Sequence, residues 1–318
     1  MGKQISTLEK VKQKGIVTQI PQYLISGMLL NTTVNLLTLG KSKTALELIQ
    51  MNKMLKVKKK LRHLYKSELS KELDVKERKV SNIVWTMWLQ GLDNAPKIVK
   101  LSIKSIEKSL PQQEIVVLDR TNYKKYVDIP KDILSKWDRG IISNQHFSDI
   151  VRMELLIQHG GTWIDSTVFL KSNFDLLQGI LDSKQTFFFQ NMRPGQMGNS
   201  IWLSSWFIHS TSNEPTLLRV REILYNYWSN NNYIIDYFLF HIIWHLVYES
   251  HDDEYKKIKK VPNALPLQLM YLLNEKNNKS LTEEVLNNFP MQKLTYKNIS
   301  DDRSTTYWYL MERYITND

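Results

Sequence analysis

The sequence predicts an α/β fold, a mixed sheet flanked by helices, with a helical N-terminal extension. Three observations carry that prediction. "IVWTMWL" (83–89) and "QEIVVLD" (113–119) are short apolar runs, and "APKIVKLSIKSIEKSL" (95–110) between them is apolar at 98, 99, 103, 106 and 110. Strand, helix, strand with short connections is a βαβ unit, so a parallel pair is expected. "HFSDIVRMELLIQHGGTWIDSTVFL" (146–170) repeats the theme as a helix, a Gly-Gly turn and a buried strand. The residues before Ile83 read instead as polar-rich helix.

The elements follow in order. "MGKQISTLEKVKQKG" is polar and no apolar core follows it directly, so no signal peptide is expected. "YLISGMLLNTTVNLLTLG" (23–40) is interrupted by Asn31, Thr32, Thr33 and Asn35. A spanning helix needs ~20 mostly apolar residues, so this stretch reads as a core or interfacial helix. "KMLKVKKKLRHLYK" (53–66) holds seven Lys and Arg residues and no acid, with apolar residues at roughly helical spacing. It is either the solvated face of a packing helix or a basic helix lying on an anionic membrane. "KSELSKELDVKERK" (66–79) reads as a linker or exposed helix, placing a boundary between an extension, 1–80, and a main domain, 81–318.

Beyond the βαβ unit, "PKDILSKWDRG" (130–140) starts on proline and stops on glycine, as a short helix should. A helix over 144–158 and a strand "TWIDSTVFL" (162–170) follow. Further strands are expected at 185–191 and 200–210, and helices at 214–228 and 233–251. The last is apolar nearly all round and should be buried. The tail is mixed, with a possible strand "QKLTYKN" and a final aromatic helix "TTYWYLMERY".

Composition narrows the chemistry. The 318 residues are 42% hydrophobic, enough for a large α/β domain. There are no cysteines, which excludes disulfides, thiolate metal sites and a cysteine nucleophile, and fits a reducing cytoplasm. Net charge is +11, but no zinc module, RNP-type strand or helix-turn-helix signature accompanies it, so nucleic acid is not an expected partner.

The chemistry gathers in 146–170. His146, Asp149, Arg152 and Met153 fall three or four apart and share a helix face. An Asp and an Arg one turn apart can simply pair. A lone carboxylate in an apolar strand, Asp165, is costly unless something pairs with it. The strand should end near the face carrying Asp149 and Arg152, so three polar groups converge at one edge. His241 and His245 are i, i+4 and could bind metal, but they lack the H-E-x-x-H pattern and read as a core pair. Asp236 falls near the expected start of that helix, where a carboxylate favours the dipole.

The ordered set S-D-I-V-R, apolar helix, Gly-Gly, aromatic, apolar, Asp resembles the signature of the bacterial capsular polysaccharide synthesis protein family. These are glycosyltransferases related to the DXD sugar-binding group. The resemblance covers roughly 80 to 300, with similarity in 41–66, and extends to "IVWTMWLQG", "EIVVLD", "DYFLFH" and "QKLTYK". It implies a GT-A fold, Rossmann-like, joining a nucleotide-binding half to an acceptor half. Trp88, before "LQG", matches the aromatic that stacks on the base, with Trp85 competing for that role, and Gln90 joins the donor-binding group. Asp149 and Arg152 match residues that hold donor hydroxyls or phosphate. Asp165 matches the first DXD aspartate, and Asp236 falls on the acceptor side with a role in orienting a hydroxyl.

The departure is Thr167, where the wider group has a second, metal-ligating aspartate. A hydroxyl is a weak ligand for a hard dication. Either Asp165 and the donor diphosphate hold Mg²⁺ or Mn²⁺, or cations from His146, Arg152, Lys293 and Lys297 neutralise the leaving group. The resemblance implies transfer of a hexose from a nucleotide sugar, UDP-glucose or UDP-galactose first. The implied acceptor is a saccharide on a lipid diphosphate, and the place is the inner face of the plasma membrane. A non-catalytic nucleotide-sugar or polysaccharide binding subunit is the alternative. A glycoside hydrolase would need two carboxylates about 5–9 Å apart across the bond. Asp149 and Asp165 could serve, but the accompanying Arg and Trp suit a nucleotide better.

Overall fold

The computed structural model of the chain describes residues 23–24, 27–192 and 201–314. The first described helices are α1 (Leu29–Leu39) and α2 (Lys43–Leu64). Ser42 caps α2 by accepting from the Ala45 N–H at 3.1 Å. Met54, Val57 and Leu61 of α2 are buried in the same hydrophobic core as the central helix and sheet. The stretch 71–82 beyond it has no helix or strand but is anchored: Arg78 Nε donates to Thr211 Oγ1 at 2.8 Å, and Lys79 N donates to Ser212 Oγ at 3.0 Å. The expected boundary near residue 80 therefore does not divide the core.

The basic run of α2 is not one solvated face. Lys53 is buried and pairs with Asp236 at 2.9 Å, and Lys58 is buried and pairs with Glu249 at 2.7 Å. Lys59 and Lys60 remain exposed. No described helix is long and apolar enough to cross a membrane.

The central sheet opens with β1 (Ile83–Met87), followed by α3 (Lys97–Ser109), β2 (Glu114–Leu118), α4 (Lys131–Asp138), α5 (Asn144–His159) and β3 (Gly161–Ile164). β4 (Val168–Leu170), β5 (Phe187–Gln190) and β6 (Leu203–Ser210) come next. α6 (Pro215–Asn230), α7 (Leu239–Ser250), α8 (Lys279–Asn288), β7 (Met291–Lys293) and α9 (Thr306–Tyr314) complete the main elements. Strand order is β2-β1-β3-β6-β5, with β1 parallel to β2 and β3, and β6 antiparallel to β3 and β5. The predicted βαβ unit and mixed α/β class are both present.

Three expectations change. "TWIDSTVFL" is not one strand. β3 leaves the central sheet at Ile164, a turn closed by Val168 N donating to Asp165 O at 2.9 Å intervenes, and β4 pairs with β7 in a separate two-stranded sheet. An unbroken apolar run hides such a switch, because the two halves differ only in their distant partners. "QKLTYKN" contributes to strand only as far as Lys293. The helix expected from Tyr233 starts at Leu239, because Asp236 turns the chain: its Oδ1 accepts from Phe238 N at 2.8 Å.

The Gly-Gly turn places α5. Gly160 and Gly161 take φ of +69° and +92°. A Cβ on Gly161 would lie 2.3 Å from Ile83 O, and one on Gly160 would lie 2.6 Å from Ser212 N. Both positions need glycine for backbone freedom and for close approach. The turn sends β3 back along α5, so the first turns of the helix lie over the carboxyl end of the strand. Phe147, Ile150, Val151, Met153 and Leu155 of α5 are fully buried, each contributing on the order of 1.5–3 kcal/mol.

Candidate active site

β1 and β3 are parallel neighbours, with Trp85 opposite Trp163, so the chain leaves both at the same end of the sheet. Trp88 follows β1 and Asp165 follows β3. Ligands of open α/β sheets sit in the crevice outside the carboxyl ends of strands. A cleft of about 820 Å³ opens there, within the range of small-molecule sites. Its walls include Trp88, Gln90, Asp149, Arg152, Asp165, Thr167 and Lys293.

The charged groups form an alternating line. Asp149 Oδ1 lies 3.5 Å from Arg152 Nη1, Arg152 Nη2 lies 3.4 Å from Asp165 Oδ1, and Asp165 Oδ2 lies 3.3 Å from Lys293 Nζ. Arg152 is held from behind by donating to Ser205 O at 2.6 Å, and its guanidinium stacks 4.7 Å from the Trp163 ring centroid. Trp163 Nε1 donates to Asp165 Oδ1 at 2.8 Å. Lys293 also donates to the Thr167 hydroxyl. That contact is fixed by the β4–β7 ladder, in which Val168 pairs with Lys293 and Leu294 N donates to Thr167 O at 2.8 Å.

Protonation states follow from burial and neighbours. Burial pushes the Asp149 carboxyl up, but the Arg152 guanidinium and the facing His146 outweigh it, so it lies below its usual range. Burial pushes His241 down to about 4, more than the Asp149 carboxylate lifts it. At neutral pH Asp149 is an anion and His241 a neutral ring.

The structure separates the expected site residues. Trp88, Gln90, Asp149, Arg152, Asp165, Thr167 and Lys293 share the cleft. His146 stands behind it: its ring is buried, its Nε2 accepts from Trp228 Nε1 at 3.0 Å, and its Nδ1 faces Asp149 Oδ2 at 3.6 Å. It positions Asp149 rather than facing a phosphate. Asp236 does not line the cleft; its carboxylate is buried against Lys53, which removes it from contact with an acceptor. Lys297 lies outside the walls, with Nζ 5.8 Å from the Tyr296 ring centroid. Trp85 is a core residue donating to Gly160 O at 2.9 Å, so of the two candidates only Trp88 lines the cleft.

Other wall residues come from segments with no local signal in the sequence. Tyr296 packs edge-on to Trp88 at 5.1 Å between centroids, and Tyr237 reaches in from the turn before α7. Glu47, Gln50, Met51 and Met54 of α2 form one wall. The His241/His245 pair splits. His241 reaches the cleft, whereas His245 turns to Glu249 at 3.2 Å, so the pair is not a shared metal site. Only the helical spacing of "HIIWH" signalled either histidine.

A family model described as capsular polysaccharide synthesis protein matches residues 40–311. The chain belongs to the capsular polysaccharide synthesis protein family. Its family match starts before α2, in keeping with a helix that is part of the core and of the cleft. Curated relatives of this family member are fungal glycosyltransferases. The O-glycosyltransferase braB of Annulohypoxylon truncatum is 31% identical over 160 residues, covering 46% of this chain and 37% of that protein. Glycosyltransferase afumC of Aspergillus fumigatus is 31% identical over 103 residues, covering 30% of this chain and 26% of its own length. The O-glycosyltransferase PaGT of Phomopsis amygdali is 26% identical over 163 residues, covering 47% and 39%. The chain thus spans well under half the length of the curated relatives it matches.

Proposed function

We propose that the chain is a glycosyltransferase of GT-A type that transfers a hexose from a nucleotide sugar, UDP-glucose or UDP-galactose first, to a saccharide acceptor. The observation that carries this reading is the line Asp149–Arg152–Asp165–Lys293 beside Trp88 at the carboxyl ends of β1 and β3. The glycosyltransferase names of the relatives support the reaction class.

In this reading Trp88 and Tyr296 offer ring faces and edges to the base. Asp149, held ionised by the Arg152 guanidinium, and Asp165, beside Arg152 and Lys293, accept hydrogen bonds from sugar hydroxyls. Lys293 stabilises charge that develops on the departing diphosphate. The transfer is retaining: the acceptor oxygen attacks the face the nucleotide leaves, and the departing phosphate takes the acceptor proton. Such a step needs charge stabilisation more than a strong base. The cleft fits this, since His241 with a pKa of about 4 is a weak base and both carboxylates are engaged by cations.

The acceptor in this reading is lipid-linked, as in capsular repeat-unit synthesis, and the protein works at an anionic membrane surface. Exposed Leu30 and Leu37 of α1 and exposed Lys59 and Lys60 of α2 support that placement. The experiment is a donor screen across UDP-, GDP- and CDP-sugars, with release of nucleoside diphosphate as readout. Turnover of a UDP-hexose is the expected result. Binding without turnover under any condition would point to a binding subunit instead.

A further inference from the structure

A two-aspartate site holds its dication between two carboxylates, and the residues here do not fit that ion. The second position is the Thr167 hydroxyl, buried and already accepting from Lys293. The first, Asp165, is already engaged by two cations: Oδ1 accepts from Trp163 at 2.8 Å and faces Arg152 at 3.4 Å, and Oδ2 faces Lys293 at 3.3 Å, so a metal would compete with both charges for it. Among the described residues no cluster of three His, Asp or Glu side chains could hold a metal ion. A hard cation prefers several anionic oxygens. Here it would have to displace the Lys293 ammonium, which already contacts both Thr167 and Asp165.

We infer that the Lys293 ammonium takes the place of the divalent cation, so that this protein holds its donor diphosphate without a metal. The chemistry is that of a point charge with three rotatable donors. It donates to Thr167 and lies 3.3 Å from Asp165 Oδ2, and with three donors it keeps capacity for an oxygen of the ligand. Lys293 is also placed by backbone rather than by chance. The β4–β7 ladder sets it opposite Val168, and Leu294 N to Thr167 O at 2.8 Å clamps the next residue. Its side chain is 19% exposed, so the ammonium is open to the cleft while mostly screened from bulk water. Thr167 then has a reason: an aspartate there would neutralise the ammonium that a hydroxyl only orients.

This inference rests on the proposed nucleotide-sugar reading, and the test separates the two. UDP is titrated by calorimetry into wild-type protein in EDTA, in Mg²⁺ and in Mn²⁺, and into Lys293→Gln and Lys293→Arg in EDTA, with thermal melting to verify folding. Wild type is expected to bind UDP equally well in all three buffers, within about threefold. Lys293→Gln should lose roughly tenfold or more in affinity, the scale of one charge-assisted hydrogen bond, and Lys293→Arg should keep most of it. UDP binding that requires Mg²⁺ or Mn²⁺ in wild type would overturn the Lys293 assignment while leaving the donor reading in place. Unchanged affinity in a folded Lys293→Gln would overturn it too. If wild type binds neither UDP nor any nucleotide sugar in any buffer, the donor reading itself falls. Should Lys293→Gln fail to fold, the three wild-type titrations still decide the metal question.

Discussion

Arg152 and Asp165 meet at 3.4 Å across the gap between α5 and the end of β3. That contact joins the two halves of the Gly-Gly motif, and it exists because Gly160 and Gly161 reverse the chain without side chains in the way. It also turns a carboxylate in apolar surroundings into a paired group facing a cleft.

Asp165→Asn tests that pairing. The amide can still accept from Trp163, but it no longer balances Arg152 and Lys293. Sugar transfer should fall by about a hundredfold or more, the scale seen when a preorganised electrostatic group is removed. Because the side chain is 26% exposed, stability should change by only about 1–2 kcal/mol. Rate measurement and thermal melting on the same sample check both. Full activity would remove Asp165 from the site.

Lys53 and Asp236 should behave as a structural pair. Both are buried, and their atoms lie 2.9 Å apart. Removing one partner leaves an uncompensated buried charge, so Lys53→Met or Asp236→Asn should each cost about 3–5 kcal/mol. The double substitution Lys53→Met with Asp236→Asn removes both charges, keeps the oxygen that accepts from Phe238 N, and should recover much of that stability and keep transfer activity. Loss of activity in a stable double variant would return Asp236 to the catalytic group.

Gly161→Ala should be among the most damaging small substitutions in the chain. It introduces a Cβ 2.3 Å from a backbone oxygen at a φ of +92°. The expected loss is about 3 kcal/mol or more, read from denaturant melts or from failure to accumulate folded protein. Gly91→Ala offers a contrast, since its φ is +78° but nothing lies within 4 Å of the new atom. It should cost about 1 kcal/mol.

His241 predicts a pH dependence of stability. Its folded value is about 4 against an ordinary 6.5, so the unfolded chain takes up the proton first. Stability is therefore full above pH 6.5, declines as pH falls through that range, and levels off near 4. The contribution is on the order of 1–3 kcal/mol. His241→Gln should flatten the stability profile between pH 4 and 6.5. An identical slope in the variant would contradict the assignment.

Much of this was legible in the sequence, and the residues show why the rest was not. β1, α3, β2 and α5 carry strong local periodicity, and tertiary packing agrees with it. Asp149, Arg152 and Asp165 were legible because helix spacing and a Gly-Gly turn fix their relation over a short distance. The break between β3 and β4 was not, because it depends on β7, more than a hundred residues away in the chain. The same holds for Lys53 and Asp236, whose pairing makes a lysine of a basic run a core residue. Tyr296 and Glu47 reach the cleft from distant elements, with no local signal to announce them. His146 shared the right helix face, yet helix spacing cannot tell a residue that faces the cleft from one that supports it from behind.

The proposed function requires that this cleft bind a nucleotide sugar through Trp88 and the charged line beside it. Calorimetric titration of UDP-glucose and UDP-galactose into wild type, Trp88→Ala and Asp149→Ala tests it most directly. Wild type is expected to bind at least one of the two sugars. Affinity should weaken roughly tenfold in Trp88→Ala, where stacking of ~1–3 kcal/mol is lost, and by a similar factor in Asp149→Ala, where a charge-assisted hydrogen bond is lost. Equal affinity in all three proteins, or no binding of either nucleotide sugar by the wild type, would contradict it.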